Sequence, residues 1–306
     1  MNICTVIVTF NRKQDLEKTL ALYETQTMPP RAILVVDNHS TDGTAEMLSA
    51  WKSEEKDIRH IVHTMSENVG GSGGFYAGME QALAQTDCDW LFISDDDALP
   101  ALDALEKIDA FCKKEEKLAS ECAVICGVVD AGDHFAVGHR ARIRKSLSGQ
   151  IDFPVSADEY KKEWFEIDFF SYIGSAIRRS ALEAAGLTRK EFFIYSDDFE
   201  HSLRLGRQGK IVCVPSAVMS HQDNNDYSRD ASWRDYYATR NLLIMYREYF
   251  GAWAAFRRSI MRRLTGLRSM NPTKMKVISA GIKDAKRGVT GLHPIYRPGW
   301  NPKKKG

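Results

Sequence analysis

The chain of 306 residues has no long apolar run, no surplus of charge and no cysteine framework. No stretch approaches the ~18 apolar residues of a membrane-spanning helix. The opening MNICTVIVTF lacks the basic start and small-residue cleavage site of a secretory leader. The expectation is a cytoplasmic protein, soluble or peripheral to a membrane. A formal net charge of +1 gives the whole chain no pull toward a polyanion, and without a recognition motif no nucleic-acid partner is expected. The six cysteines form no CxxC pair. Cys122 and Cys126 are spaced i, i+4 within ECAVICGVV. Read as a strand, this run puts both on one face as small core hydrophobes rather than as a metal clip, which fits a reducing compartment. There is no internal repeat, and no low-complexity run apart from Lys303–Lys305.

What is present is an alternation. Ile3–Phe10, Ala32–Val36, Ile58–His63 and Trp90–Ile93 are apolar, β-branched runs that read as buried strands. Between them Leu16, Leu20 and Tyr23, then Met47, Leu48 and Trp51, recur at helical spacing. A glycine-rich loop, Asn68–Gly74, precedes a third helix to about Ala84. This order predicts an α/β fold with a mostly parallel sheet flanked by helices. Further on, a helix is expected from Leu99 to Lys114 and strands at Ala123–Val129 and Phe170–Ile177. A short helix over Ser180–Ala185 and an extended stretch from Lys210 to His221, interrupted at Pro215, follow. Ligands of such sheets bind beyond the carboxyl ends of the strands. Four polar clusters fall there in succession: Thr9–Asn11, Asp37–Ser40, Asn68–Gly74 and Asp95–Asp97.

Asp95, Asp96 and Asp97 follow an apolar strand directly. Three adjacent carboxylates repel, and a hard divalent cation relieves the repulsion and can bridge to a diphosphate; a solvated helix start is the competing reading. Strand alternation points Asp95 and Asp97 one way and Asp96 the other, so the metal is assigned to the first two and a sugar or ribose contact to Asp96. A hundred residues later, Asp197, Asp198 and Glu200 precede an amphipathic helix. One carboxylate there can act as a general base on an acceptor hydroxyl, or the set can simply cap the helix. His221 closes an extended run and is a candidate third metal ligand. The NVGGSGG segment is neither a dinucleotide fingerprint nor a P-loop; its amides can bind an anion, or it can be a flexible connection.

Taken together, VIVTFNR, VVDNHSTDGT, ENVGGSGGFYAGM, FISDDDALP and IYSDDFEHSLRLGRQGKIVCVPSAVMSHQ resemble glycosyltransferase family 2 in order and spacing over roughly residues 3 to 222. The resemblance implies a GT-A fold, a nucleotide-sugar donor, Mn²⁺ or Mg²⁺, and inversion at the anomeric carbon. By position it implies nucleotide contacts from Thr9, Asn11 and Asp37. It places Asn68, Gly70, Gly71, Gly73 and Gly74 near the diphosphate and sugar, and metal ligation at Asp95, Asp97 and His221. Asp198 becomes the base, with Asp197 and Glu200 orienting the acceptor. The triple aspartate and GGSGGF look like bacterial galactofuranosyltransferases, and WRDYYATRN (Trp233–Asn241) resembles a segment of galactofuranosyl- and rhamnosyltransferases of surface polysaccharide synthesis. The donor implied is UDP-galactofuranose and the acceptor a lipid-linked saccharide, with dTDP-rhamnose as the alternative donor. A nucleotidyltransferase and a non-catalytic sugar-nucleotide or polysaccharide-binding module are the readings from other classes.

The expected division is a catalytic domain over about 1–225, with a nucleotide-sugar half to about 130 and an acceptor half to about 225, followed by a basic helical region over 226–306. In that region Arg257, Arg258, Arg262, Arg263, Arg268, Lys274, Lys276, Lys283, Lys286 and Arg287 have Asp284 as the nearby acid. Trp253, Phe256, Ile260, Leu264 and Leu267 form a helical stripe. The pattern suits a helix on the anionic cytoplasmic face of the inner membrane; packing on the catalytic domain or a dimer contact is the alternative.

Overall fold

The computed structural model describes residues 1–54, 57–144, 151–221 and 230–302. The 225/226 boundary and the terminal lysines lie outside the described residues. The first half follows the expected alternation: β1 (Ile3–Thr9), α1 (Lys13–Glu24), β2 (Ala32–Asp37), α2 (Thr44–Lys52), β3 (Arg59–Thr64), α3 (Gly70–Gln85) and β4 (Trp90–Asp95). These four strands are parallel in the order β3-β2-β1-β4. Both faces of the sheet are covered, so β1 is apolar at nearly every position. Val6 and Val8 pack toward Phe75 and Met79 of α3 on one face. Ile3 and Ile7 pack toward Leu16, Leu20 and Tyr23 of α1 on the other.

The chain continues through β5 (Leu99–Pro100), α4 (Ala104–Lys114), α5 (Glu116–Glu121), β6 (Cys122–Asp130), β7 (Arg140–Ile143), β8 (Asp152–Pro154), β9 (Phe165–Ile167), β10 (Phe169–Phe170), β11 (Ser175–Arg178), α6 (Arg179–Ala185), α7 (Asp197–Leu205) and β12 (Lys210–Ser220). The main sheet extends as β4-β11-β6-β12-β5. β11 is antiparallel to both β4 and β6, and β6 is parallel to β12. β4, β6 and β12 therefore end on the same side. β10, β7 and β8 form a separate small sheet.

Four expectations are corrected. The helix expected from Leu99 begins at Ala104, because Leu99 and Pro100 pair as a strand with Ser220 and Met219. The strand expected over Phe170–Ile177 is two strands in different sheets. Cys122 and Cys126 do not share a face. Lys210 pairs with Cys122 but Ile211 with Val124, so Ala123 is an extra residue. This bulge shifts the alternation by one, sending Cys122 to one core and Cys126 to the other. Both thiols are buried core residues, as expected.

The fourth correction concerns the glycines of the Asn68–Gly74 loop, which lie inside α3 from Gly70 onward. The reason is packing. A β-carbon on Gly74 would lie 2.5 Å from Val8, and one on Gly78 the same distance from Val6, so glycine lets the helix close onto β1.

At the C-terminus, α8 (Arg234–Arg268) is broken at Gly251, whose φ of 88° and ψ of 167° are not helical. The second half returns alongside the first, with Arg262 donating to the Thr239 hydroxyl from Nε (3.1 Å) and Nη2 (2.9 Å). α9 (Pro272–Arg287) is capped by Asn271, whose side chain accepts from the amides of Thr273 and Lys274. It packs Ile278 and Ile282 with Leu243 and Ile244 against Phe192.

Candidate active site at the carboxyl ends of the strands

The chain crosses from one half of the sheet to the other between β4 and β5. Asp95 is the last residue of β4, and β5 is paired with the end of β12. Asp96 and Asp97 span the gap, and His221 directly follows β12, its amide donating to the Asp130 carbonyl (2.9 Å). Asp97 is thereby carried to His221 (Nε2 to Oδ1, 3.3 Å). One ligand atom each from Asp95, Asp97 and His221 all lie within 4.8 Å of one another. Two carboxylates and an imidazole suit a hard or borderline divalent ion such as Mn²⁺ or Mg²⁺.

Charge in this cluster is costly. Burial pushes Asp95 up to about 6, with Asp97 adding repulsion. Asp97 is also raised by burial, but His221 and Arg12 outweigh that and hold it below the usual carboxylate range. The Arg12 guanidinium contacts Asp97 and lies 3.4 Å from Asp96. Asp96 is turned inward: its Oδ2 accepts from the Thr9 hydroxyl (2.7 Å), and its carbonyl accepts from Thr19 (2.7 Å). Burial pushes Asp96 up to about 7. Thr9 is itself buried, so both side chains are committed to each other.

The neighbouring strand ends are tied by side chains. Asn11, at a φ of 55°, accepts from the Thr41 amide (2.7 Å), and its own amide donates to Ser40 (2.9 Å). Asp37 is 1% exposed; Oδ1 accepts from the Ser40 amide (2.9 Å), whereas Oδ2 is buried without a partner among the described residues. A buried, unpartnered carboxylate oxygen is rare. Asn38 belongs to the Asp37–Ser40 cluster, but the sequence reading gave it no role of its own. Its Nδ2 donates to Asn68 (3.2 Å) and to the Gly70 carbonyl (3.0 Å), while its Oδ1 accepts from the Val69 amide (3.0 Å). Asn68 Oδ1 accepts from the Gly70 amide (2.8 Å). Gly73 sits against Val69 and Gly74 against Val8. At Gly71 an added β-carbon would meet nothing within 4 Å among the described residues, so of the set it is the glycine that leaves room for a ligand.

Asp197 and Asp198 open α7, where the helix dipole favours negative charge. Burial nevertheless pushes Asp197 up to about 6, against the opposing Ser72 hydroxyl. Burial and then Asp197 push Asp198 up to about 8. Asp95 raises both, so the β4 carboxylate and the α7 pair share one electrostatic neighbourhood. Glu200 is occupied otherwise. It is 2% exposed and held by Arg204 (2.8 Å) and by the Tyr249 hydroxyl (2.5 Å). Its contacts fix α7 to α8.

Arg240 and Asn241, outside the site itself, were given no role by the sequence reading. Both are fully buried, and both hold the turn that precedes Asp197. Within a helix they read as ordinary polar positions; the available signal was their burial-prone apolar neighbourhood, Tyr236, Tyr237, Leu242 and Leu243.

Comparison with known proteins gives this arrangement a family. Residues 4–186 match the sequence profile described as glycosyl transferase family 2. The galactofuranosyltransferase GlfT1 of Mycobacterium tuberculosis is 29% identical over 210 residues, covering 68% of this chain and 66% of that protein. GlfT1 of Mycolicibacterium smegmatis is 25% identical over 207 residues with the same coverage. The match thus spans just under two thirds of these relatives' length. Among solved structures, a mannosyltransferase from Pyrobaculum calidifontis, in complex with GDP-Man and Mn²⁺, superposes with a TM-score of 0.59 at 16% identity, covering 96% of this chain and 76% of that one. The fold is the GT-A fold of glycosyltransferases. With a profile matched over more than half of its length, the chain belongs to glycosyl transferase family 2.

Proposed function

We propose that this glycosyltransferase moves galactofuranose from UDP-galactofuranose to a hydroxyl of a lipid-linked saccharide, with inversion at the anomeric carbon. The observation that carries the reading is the cluster of Asp95, Asp97 and His221, with the Asp197–Asp198 pair near enough for the Asp95 charge to raise both. The galactofuranosyltransferase relatives support the choice of donor.

Asp95, Asp97 and His221 would hold Mn²⁺ or Mg²⁺. When bound, the ion supplies positive charge that stabilises a diphosphate leaving group. Asp37 offers its unpartnered Oδ2 to a donor on the uracil or ribose. The open face at Gly71, at the start of α3, suits the diphosphate. Asp96, bonded to Thr9, orients the β4–β5 turn rather than touching sugar. Asp198 is the base. Its raised pKa gives it proton affinity near neutral pH, so it takes the acceptor's proton as that oxygen attacks. Asp197 orients the acceptor, and Glu200 braces α7 from behind.

A lipid-linked acceptor calls for a membrane contact, and the second half of α8 is suited to one. Trp253, Phe256, Ile260, Leu264 and Leu267 are all exposed, Trp253 at 69%. Arg263 and Arg268, also exposed, flank them. Such a stripe matches an anionic bilayer surface. Arg262 and Lys274 do not take part, since they pack onto Thr239 and Asp235. Among the described residues no helix is long and apolar enough to cross a membrane.

The test is nucleotide release with Mn²⁺ and an acceptor-lipid extract, comparing UDP-galactofuranose, UDP-galactopyranose and dTDP-rhamnose. Turnover confined to the furanose and lost on chelation is expected. Turnover of dTDP-rhamnose instead would move the donor assignment and leave the chemistry in place.

A further inference from the structure

The five residues before the α7 carboxylates adopt an unusual backbone. Phe193, Tyr195 and Ser196 have φ values of 67°, 68° and 65°. That region disfavours residues with a β-carbon, and none of the three is glycine. A turn of this kind persists only where its surroundings over-determine it.

Two surroundings do so. From α8, Asn241 Nδ2 donates to the carbonyls of Phe192 (2.9 Å), Ile194 (2.8 Å) and Tyr195 (3.0 Å). An amide has two hydrogens, so three acceptors saturate it. Arg240 fixes the amide's orientation by donating from Nε to Asn241 Oδ1 (2.9 Å), and it donates from Nη2 to the Phe192 carbonyl (3.2 Å). From the other side, the Ser72 amide of α3 donates to the Phe193 carbonyl (3.1 Å). Gly70 sits so close that an added β-carbon would lie 2.0 Å from the same oxygen. Four successive carbonyls are thus engaged, three by one side chain outside the site.

We propose that Asn241, oriented by Arg240, is a positioning residue for sugar transfer: it clamps the Phe192–Ser196 turn in the one conformation that presents Asp197 and Asp198 to the Asp95 end of the sheet. The proposal rests on the reading of Asp198 as the base. It gives the Arg-Asn end of WRDYYATRN a task in the reaction without any contact to donor or acceptor. From the other side α3 only packs on the Phe193 carbonyl, through Gly70 and the Ser72 amide, so the α8 clamp can be released without moving the start of that helix.

The experiment compares wild type with Asn241→Ala, Asn241→Ser and Asp198→Asn. It measures kcat, donor KM, calorimetric UDP affinity in Mn²⁺, and hydrogen exchange of the 193–198 amides. Removing the clamp is expected to lower kcat roughly 10- to 100-fold, the scale of a small misplacement, with KM and UDP affinity unchanged and exchange of these amides accelerated. Asn241→Ser keeps one donor and is expected to fall between; it carries the comparison if Asn241→Ala does not fold. A folded Asn241→Ala or Asn241→Ser with wild-type kcat, while Asp198→Asn is inactive, overturns the clamp alone. Loss of UDP affinity in step with kcat makes Asn241 merely structural and also overturns it. Turnover surviving in Asp198→Asn withdraws the base assignment, and this proposal with it.

Discussion

Replacing Asp95 by asparagine should make the cation-free protein more stable at pH 8, while abolishing its response to Mn²⁺. Burial and Asp97 raise the Asp95 pKa from 3.8 to about 6 in the folded state. A group with a raised folded pKa favours folding below its unfolded value, and that contribution is lost as pH rises through the folded one. Between pH 4 and 6 the native state therefore gives up stability on account of Asp95. At about 1.4 kcal/mol per tenfold change, the difference comes to about 3 kcal/mol. That is a ceiling, because the carboxylate is only part-buried and keeps some contact with solvent. Asparagine has no charge to desolvate and avoids the loss. For a chain of 306 residues, at about 2 cal/mol/K per residue, it corresponds to a rise in Tm of up to about 5 °C. In the wild type a divalent cation held at the proposed site would offset the same repulsion. An ion at 100 times its Kd adds about 2.7 kcal/mol, or about 4 °C, and this shift should shrink at pH 5, where a proton competes for Asp95. The assay is thermal melting at pH 5 and pH 8, with chelator or Mn²⁺. A variant that melts lower than wild type at pH 8 in chelator, or that keeps the full Mn²⁺ shift, would refute the electrostatic reading of this cluster.

Asp198→Asn should lower transfer by roughly 10²- to 10⁴-fold, the usual worth of a general base, with UDP affinity unchanged by calorimetry. With Asp198 as the proposed base, its pKa raised by burial and by Asp197, kcat should fall as pH drops through the neutral range. A rate independent of pH between 5 and 8 would contradict that role. Gly70→Ala places a β-carbon against the Phe193 carbonyl at a φ of +74°; it should cost about 2 kcal/mol or more, visible as a Tm lower by about 3 °C. The pair Trp253→Glu and Ile260→Glu should abolish co-sedimentation with phosphatidylglycerol vesicles. Turnover of a water-soluble acceptor should be unaffected.

The sequence made the first half of the fold legible because β-branched runs and helical stripes there agree with their final burial. Four polar strand ends and the two aspartate clusters were visible for the same local reason. What stayed hidden was decided by distant partners. The glycines of NVGGSGG read as a loop, since nothing local reveals that Val8 needs the room. Leu99 and Pro100 read as the start of a helix, since a two-residue strand exists only because β12 is beside it. The opposed cysteines follow from one bulge residue, Ala123, which alternation cannot anticipate. Strand alternation separated Asp96 from Asp95 and Asp97, as the structure does, but nothing local showed that the Thr9 hydroxyl would bond it. Glu200 looked available because Arg204 and Tyr249 were not yet facing it.

The strap formed by β5 has a consequence for how the protein comes together. Asp97 reaches His221 only when Leu99 and Pro100 have found the end of β12, more than a hundred residues further along the chain. The proposed cation site is thus a contact of very long range, the kind that forms late because loop closure must precede it. A chain emerging during synthesis would complete β1 to β4 before β12 exists. Divalent ions would then report arrival of the finished domain, and could not rescue its amino-terminal half alone.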